Sequence, residues 1–487
     1  MFSLTLENFR SFKKQTFDFS KFNILIGENS SGKSSILKFL LALKQSFQTP
    51  ASREINLLFK GEFADLGSYK ESIYYQDENL PLSFTFLFDE KYLEFFKNFM
   101  TDNGEELEDR KILDRIFDIP NLGETSVRYE LTRELNDHNS IKTNLKCAQI
   151  GDLFIYHFPE ESLNDKTYIY RPRCSIRYLD YSENMIYEFI ELEYQKDGFM
   201  TLITAGSLLK QIRKSLNISN STLDKPDHEL TAEELTKKNK CDTIFNKIAY
   251  LLISQNYLRY FLDRIDYINP INTHPSRVYL LTDQRRISSV KDLDDVIEFF
   301  SRRDKFTLAV FDDFVQILRD LGIAQNLEII QDERLPVREL RVKVKDLLSN
   351  IKDVGYGVSL QLPIILKALL ADRIARNKNT IIMIEQPEVH LHPRLHAELI
   401  NALLKLSKNT TYFIETHSEH IIRKLQVLVK EESHALNADD VTIHYLLRVE
   451  HQSEVTHHKI ESNGLLNPQF PSGFFDNSFT LAKQLLD

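Results

Sequence analysis

The chain opens with apolar and polar side chains in alternation: Phe2, Leu4 and Leu6 fall on one face, Ser3, Thr5 and Glu7 on the other. A period of two predicts a half-buried strand. Phe17-Asp18-Phe19 repeats the pattern, so the chain begins with a pair of strands. Phe22 to Ile26 is a short apolar run that leads straight into Gly27 and predicts a buried strand. Beyond the loop, apolar residues at 36, 37, 39, 40, 41 and 43 form a stripe wide enough for a mostly buried helix over Ser34–Phe47.

Strand-like alternation returns over Leu80–Phe88 and Thr125–Glu134. From Ile155 to Lys305 the pattern is mixed, with helices expected around Phe199–Leu216, Leu230–Ile253 and Val290–Arg302. The polar section Asn217–Lys240 reads as a loop or an exposed helix. No heptads are sustained and no solenoid or propeller period recurs, so neither a long coiled-coil arm nor a repeat array is expected. From Leu327 strands and helices alternate again, ending with strands near Val441–Arg448 and a Phe/Pro-rich tail.

Composition narrows the class. The 487 residues suffice for two to four domains around a substantial core. A net charge of −10 provides no global basic field for nucleic acid. DNA binding would need a local basic face, a partner or a gated clamp. The basic runs Gln284–Ile287, Arg302–Lys305 and Arg334–Lys345 are interleaved with acids and read as solvated helix faces. Cys147, Cys174 and Cys241 lack CxxC spacing and read as reduced thiols. No window offers the roughly 20 apolar residues of a membrane span, and Met1–Gln15 is no signal peptide. A cytoplasmic protein is expected.

Only 14 glycines occur, and four fall in two tight pairs, Gly27 with Gly32 and Gly355 with Gly357. Glycine is costly in conformational entropy, so both pairs predict close backbone approach. The first lies in Gly27-Glu28-Asn29-Ser30-Ser31-Gly32-Lys33-Ser34, followed by Ser35, which matches a phosphate loop between strand and helix. Successive N–H groups would wrap phosphates at the positive end of the helix. Lys33 would reach the β- and γ-phosphates of ATP, and Ser34 would bind Mg²⁺. A chance Gly/Ser-rich turn is the competing reading.

Three further elements carry candidate chemistry. Thr380–Glu385 is an apolar strand ending in an acid and continuing Gln386-Pro387-Glu388; beside a phosphate loop, Glu385 takes the metal side. Thr411–Ser418 is another strand, and its His417 could touch a γ-phosphate or attacking water. Gly355-Tyr-Gly357-Val-Ser359-Leu-Gln361 opens a helix and would make a second anion cradle, with helix capping by Ser359 as the plainer alternative.

Phosphate loop, glycine/serine signature, acidic strand and strand-ending histidine together resemble the ABC-type ATPases of the SMC, Rad50, RecF and OLD group. Leu6–Phe12 is similar to the first strand of that group. Glu385–Pro393, Glu415–His420 and the tail Phe470–Phe475 resemble the AAA15-type ATPases with a DUF3696 C-terminal region. The resemblance implies an α/β P-loop head with an antiparallel β subdomain and a mainly helical insertion. Residues 1–150 and 326–446 would be its two halves, 151–325 the insertion and 447–487 the DUF3696-like tail.

It further implies a homodimer with ATP between subunits. Each site would combine Lys33, Ser34, Glu385 and His417 of one chain with Gly355, Gly357 and Ser359 of the partner subunit. The wider group has Asp-Glu where this chain has Glu385-Gln386. Glutamine orients water but cannot take its proton. The base role then passes to Glu388 or His417, and slow hydrolysis is expected. His390, His392 and His396 invite a metal reading, but the resemblance puts 390–393 in a loop that contacts the other subunit.

The function implied is an ATP-dependent sensor or clamp in bacterial anti-phage defence. Residues 418–487 are too short for the TOPRIM nuclease of OLD-type relatives, so cleavage would belong to a separate nuclease or effector protein. RecF-like DNA repair and a non-hydrolysing regulatory scaffold are the alternatives.

Overall fold

The computed structural model describes residues 2–48, 57–88, 126–135, 141–150, 153–158, 173–180, 185–193, 218, 227–268, 275–280, 290–332, 334–374, 380–406, 410–433 and 436–471. In chain order the strands and helices begin β1 (Phe2–Phe9), β2 (Phe12–Phe19), β3 (Phe22–Gly27) and α1 (Lys33–Gln48). Six strands follow: β4 (Leu82–Phe88), β5 (Ser126–Leu135), β6 (Ile141–Ile150), β7 (Leu153–Phe158), β8 (Arg173–Asp180) and β9 (Met185–Glu193). Then come α2 (Ala232–Asp263), β10 (Ile265–Ile268), β11 (Tyr279–Leu280), α3 (Leu293–Ser301) and α4 (Lys305–Asp320). A small meander β12 (Asn326–Gln331), β13 (Val337–Val344) and β14 (Leu347–Asn350) precedes α5 (Tyr356–Ile374). The chain continues through β15 (Thr380–Glu385), α6 (Pro393–Leu406), β16 (Thr410–Glu415) and α7 (Glu419–Lys430). It closes with β17 (Val441–Val449), β18 (Gln452–Ile460) and β19 (Leu466–Asn467).

The chain divides into two compact units, the first built from residues 1–18, 38–263 and 449–453. Its sheet runs β2-β1-β4-β5-β6-β7-β8-β9 among the described residues. The pairing is antiparallel from β1 through to β9, with Phe2 opposite Phe88 and Leu6 opposite Phe84. Alternation does the folding work here: Phe2, Leu4 and Leu6 are buried while their neighbours are not. The Phe39 ring packs 5.1 Å from Phe9 and 5.4 Å from Phe84.

The second unit comprises residues 19–37, 264–448 and 454–487. Its main sheet is ordered β10-β15-β16-β3-β17-β18-β19. The five strands β10, β15, β16, β3 and β17 run parallel, and β19 pairs antiparallel with β18. Every residue of β3 is buried, as a parallel strand covered on both faces requires. Helices α6 and α7 cover one core through Leu399, Leu403, Ile421, Ile422 and Leu425. A second core joins α3, α4 and the β12–β13 hairpin. Helix α5 is apolar nearly all round because it serves both: Ile364 and Ala368 enter the first core, Leu362, Ile365 and Leu366 the second.

The described residues refine the expectations in three places. Within the insertion expected over 151–325, residues 153–193 carry strands β7 to β9, and the described helices are α2, α3 and α4. Helix α4 went unread between Asp320 and the Arg302–Lys305 run, although Asp304 caps it by accepting from the Thr307 N–H. Arg334–Lys345 is not a helix face but contains β13, paired with β12. The helix expected at Phe199–Leu216, the run Gln284–Ile287 and most of the tail motif after Pro471 lie outside the described residues. Among the described residues no helix is long and apolar enough to cross a membrane.

Candidate functional site

In open parallel sheets, ligand chemistry gathers beyond the carboxyl ends of the strands. In this sheet Gly27, Glu385 and Glu415 end β3, β15 and β16 at that edge. The edge is stitched together by backbone. The Thr416 N–H donates to Leu25 O at 3.0 Å, and the Gln386 N–H to Glu415 O at 2.7 Å. At the opposite end, buried Asn23 donates to Ser20 O and Tyr412 O, fixing where β3 enters the sheet.

Gly27 has φ +149°, and a Cβ there would lie 2.0 Å from Leu446 O on β17. Only glycine passes. Gly32 (φ 97°) and Ser30 (φ 62°) also take left-handed backbone, turning the loop over the start of α1. Glu28, Asn29 and Ser30 are exposed, whereas Ser31, Lys33 and Ser35 are buried. Arg448, at the end of β17, donates to Ser30 O at 3.3 Å.

The Lys33 ammonium folds back onto the loop, donating to Glu28 O at 2.6 Å and Gly27 O at 3.2 Å. Burial lowers its pKa from the ordinary lysine value, and the carboxylates of Glu415 and Glu28 pull it back up. The Ser34 hydroxyl donates to Glu415 Oε1 at 3.0 Å. A buried cation, a hydroxyl and a carboxylate thus converge at a left-handed glycine loop, the donor set that a magnesium-bound triphosphate needs. Glu385, the expected metal-side acid, ends β15, and β16 separates it from β3. Glu415 stands one strand closer, and reading the sequence gave it no role.

Glu388 ties the acidic loop to the histidine segment. Its Oε1 accepts from Thr416 Oγ1 and from the His417 N–H, both at 2.7 Å. Its Oε2 is buried and has no hydrogen-bond partner among the described residues. A buried carboxylate oxygen left without a donor is costly, and such atoms concentrate where chemistry uses them. Gln386 takes φ 45°, a strained left-handed conformation at the turn out of β15. The His417 residue is exposed. Partial burial and the Lys33 charge lower its pKa, opposed by Glu388.

The second glycine pair divides. Gly355 is exposed and a Cβ there would meet nothing within 4 Å; Gly357 is buried, and a Cβ would lie 2.4 Å from His390 O. Close backbone approach therefore applies to Gly357 and not to Gly355. Ser359 is fully buried and its hydroxyl donates back to Tyr356 O at 2.7 Å, neither capping α5 nor facing outward. Buried Gln361 donates to Pro387 O at 2.7 Å. The Tyr356 ring stands edge-on to His390, with centroids 5.1 Å apart. The signature helix is thereby fastened to the Pro387–His390 loop of its own subunit.

Among the described residues no His/Cys/Asp/Glu group is placed to hold a metal ion by itself. The three histidines have other partners: His390 meets Tyr356, His392 accepts from the Arg394 N–H, and His396 bridges Ser418 and Leu391. Glu415, Thr416 and Gln361 are the residues that sequence reasoning left without roles. The signal for Glu415 was present, since β15 and β16 are equal apolar runs ending in an acid.

A family model described as an AAA ATPase domain matches residues 1–422, and one described as a protein of unknown function (DUF3696) matches 436–485. A DNA replication and repair protein RecF from Staphylococcus epidermidis is 34% identical over 84 residues, 17% of this chain. That match spans 22% of the length of the curated relative. Among solved structures, an SMC head bound to the C-winged helix domain of ScpA is 12% identical, with TM-score 0.40, over 94% of this chain and 97% of that one. The SMC head domain from Thermotoga maritima is 11% identical, with TM-score 0.36, over 93% and 97%.

Proposed function

The chain belongs to the AAA15-type family of AAA ATPase domains, and from that premise we propose that it is a slow ATP-hydrolysing clamp whose two copies close over nucleotide. The observation that carries the reading is the Ser34 hydroxyl held on Glu415 beside the buried Lys33 ammonium. Backbone N–H groups from Gly27 to Ser35, with Glu28, Asn29, Ser30, Ser31 and Gly32 between them, cradle the phosphates. Lys33 leaves its loop carbonyls for phosphate oxygen, a stronger acceptor. Ser34, with Glu415 and Glu385, holds Mg²⁺, which when bound neutralises charge on the β- and γ-phosphates.

Hydrolysis needs a base, and Gln386 cannot be one. Glu388 supplies it through Oε2, the buried oxygen with no donor among the described residues. Gln386 orients the water and His417 donates toward the γ-phosphate, its lowered pKa keeping the imidazole neutral near pH 7. Exposed Gly355 and half-buried Tyr356, at the start of α5, present backbone N–H groups to the nucleotide of the partner subunit. Ser359 and Gly357 act from behind, packing that turn onto its own loop. In the cell this switch serves as a sensor in anti-phage defence and signals to a separate nuclease or effector. The RecF match favours a second reading, loading onto DNA under ATP control.

Phosphate release and sedimentation of the purified chain with ATP and Mg²⁺ test the proposal. Turnover below about 1 s⁻¹ is expected, under the usual enzyme range of roughly 1–10³ s⁻¹. Glu388→Gln should bind ATP and accumulate as a dimer, while Lys33→Ala should stay monomeric. Turnover of tens per second, or no ATP-dependent dimer with Glu388→Gln, overturns it. DNA-stimulated turnover selects the second reading; copurification with a nuclease selects the first.

A further inference from the structure

Two loops carry the proposed reacting groups, Gln386–His392 with Glu388 and Thr416–Ser418 with His417. The distance between them is fixed by few bonds, and His396 makes two of them. It lies in the first turn of α6, half-buried. His396 Nε2 lies 3.2 Å from Leu391 O, and Nδ1 lies 2.8 Å from Ser418 Oγ. A carbonyl can only accept, so Nε2 carries the hydrogen; in that tautomer Nδ1 accepts from the Ser418 hydroxyl.

The bonds then close a ring of two arms, both donated from Ser418 and both ending on Glu388. Ser418 donates its hydroxyl to His396 and its N–H to Thr416 Oγ1 at 2.9 Å. Thr416 Oγ1 donates to Glu388 Oε1, which also receives the His417 N–H. The Leu391 N–H donates to Glu388 O at 3.0 Å, and His396 returns the ring to Leu391. Apart from Glu388 Oε2, the polar atoms named are paired with one another, and such a network holds geometry more tightly than its bonds taken singly.

Ser418 supplies a second, independent observation. It occupies the N-cap of α7, where serine normally accepts from the helix's first turn, yet its side chain makes no cap bond. A missing serine cap leaves first-turn N–H groups without their usual acceptor. A local rule is broken, and the hydroxyl is directed to His396 instead.

We propose that His396 is a positioning residue for ATP hydrolysis, setting the His417 segment against the Glu388 loop through Ser418 and Leu391. It touches no reacting atom. The inference rests on the hydrolytic reading above. Displacing a reacting group by about 1 Å can cost up to about a hundredfold in rate, so the signature is a loss of kcat with ATP binding intact.

The test is a set of substitutions in the full chain, read as kcat, KM for ATP and thermal midpoint. His396→Asn keeps an acceptor near the Nδ1 position, whereas His396→Gln keeps a polar group only near Nε2. Ser418→Ala and His396→Gln are expected to lower kcat about tenfold or more, with KM within about twofold. His396→Asn should recover most of kcat, and His396→Gln combined with Ser418→Ala should be no worse than Ser418→Ala alone. Equal losses in the Asn and Gln variants that track the thermal midpoint indicate a merely structural role and overturn the proposal. Wild-type kcat in Ser418→Ala overturns it as well. Glu388→Gln separates the two levels: if it turns over normally, the hydrolytic reading fails. If it is inactive while the His396 and Ser418 variants are normal, only the positioning role fails.

Discussion

Glu385 and Glu415 are register partners, the last residue of β15 beside the last residue of β16. Partners in adjacent strands lie ~4.8 Å apart, so two carboxylates stand together at the carboxyl edge of the sheet. Like charges that close disfavour each other unless a cation joins them. Ser34 is already hydrogen-bonded to one of the pair. Both Glu415→Gln and Glu385→Gln are therefore expected to raise the Mg²⁺ concentration for half-maximal turnover, by about tenfold or more. A Mg²⁺ titration of phosphate release reads this directly. An unchanged titration for Glu415→Gln would return the metal side to Glu385 alone.

The glycines make a graded series. Gly27→Ala puts a methyl 2.0 Å from a backbone carbonyl at φ +149°, and should cost at least about 2 kcal/mol along with most ATP binding. Gly357→Ala meets His390 O at 2.4 Å and should also destabilise, since backbone must move. Gly355→Ala meets nothing and should leave the midpoint of urea unfolding nearly unchanged. Equal losses at Gly355 and Gly357 would contradict the division of that pair.

What could be read in advance followed from periodicity and local chemistry. The β3–loop–α1 passage was legible because an apolar run, two glycines and a helix stripe are contiguous. Strand β15 was legible for the same reason. Glu415 was not, because its role depends on strand order: β16 lies between β15 and β3, and nothing in the chain's linear order shows that. Ser359 was misleading because serine at a helix start usually caps, whereas here the turn is buried against Pro387–His390 and the hydroxyl is satisfied inside the helix. His396 read as one of three metal-like histidines, and only the fold separates their partners.

His458 gives a pH dependence with a definite sign. The side chain is buried, Nδ1 lies 2.7 Å from Pro468 O, and Nε2 has no partner among the described residues. Burial lowers its pKa, the Pro468 hydrogen bond opposes that, and nearby His457 lowers it further. Above the unfolded imidazole value, about 6.5, both states are neutral and stability does not vary with this group. Below it the unfolded chain takes up a proton that the folded chain resists, so stability falls as pH falls toward the lower folded pKa. Thermal midpoints between pH 7.5 and 5 should drop more steeply for wild type than for His458→Gln. Parallel curves would place the titration elsewhere.

Lys367, in the middle of α5, lies 2.6 Å from Asp266 on β10, with side-chain exposures of 7% and 21%. Breaking a buried pair by removing one partner strands the other charge and typically costs about 3–5 kcal/mol. Asp266 keeps some contact with water, so Lys367→Met should fall near the low end, about 3 kcal/mol. Replacing both residues with apolar ones removes the stranded charge, and much of the loss should be recovered. The pair also ties α5 to β10, and α5 begins at Tyr356, directly after Gly355, at the end proposed to face the partner nucleotide. The double substitution should therefore restore stability more fully than ATP-dependent dimerisation. Urea unfolding and sedimentation with ATP measure the two separately. A Lys367→Met cost below about 1 kcal/mol would reduce the contact to an ordinary surface pair.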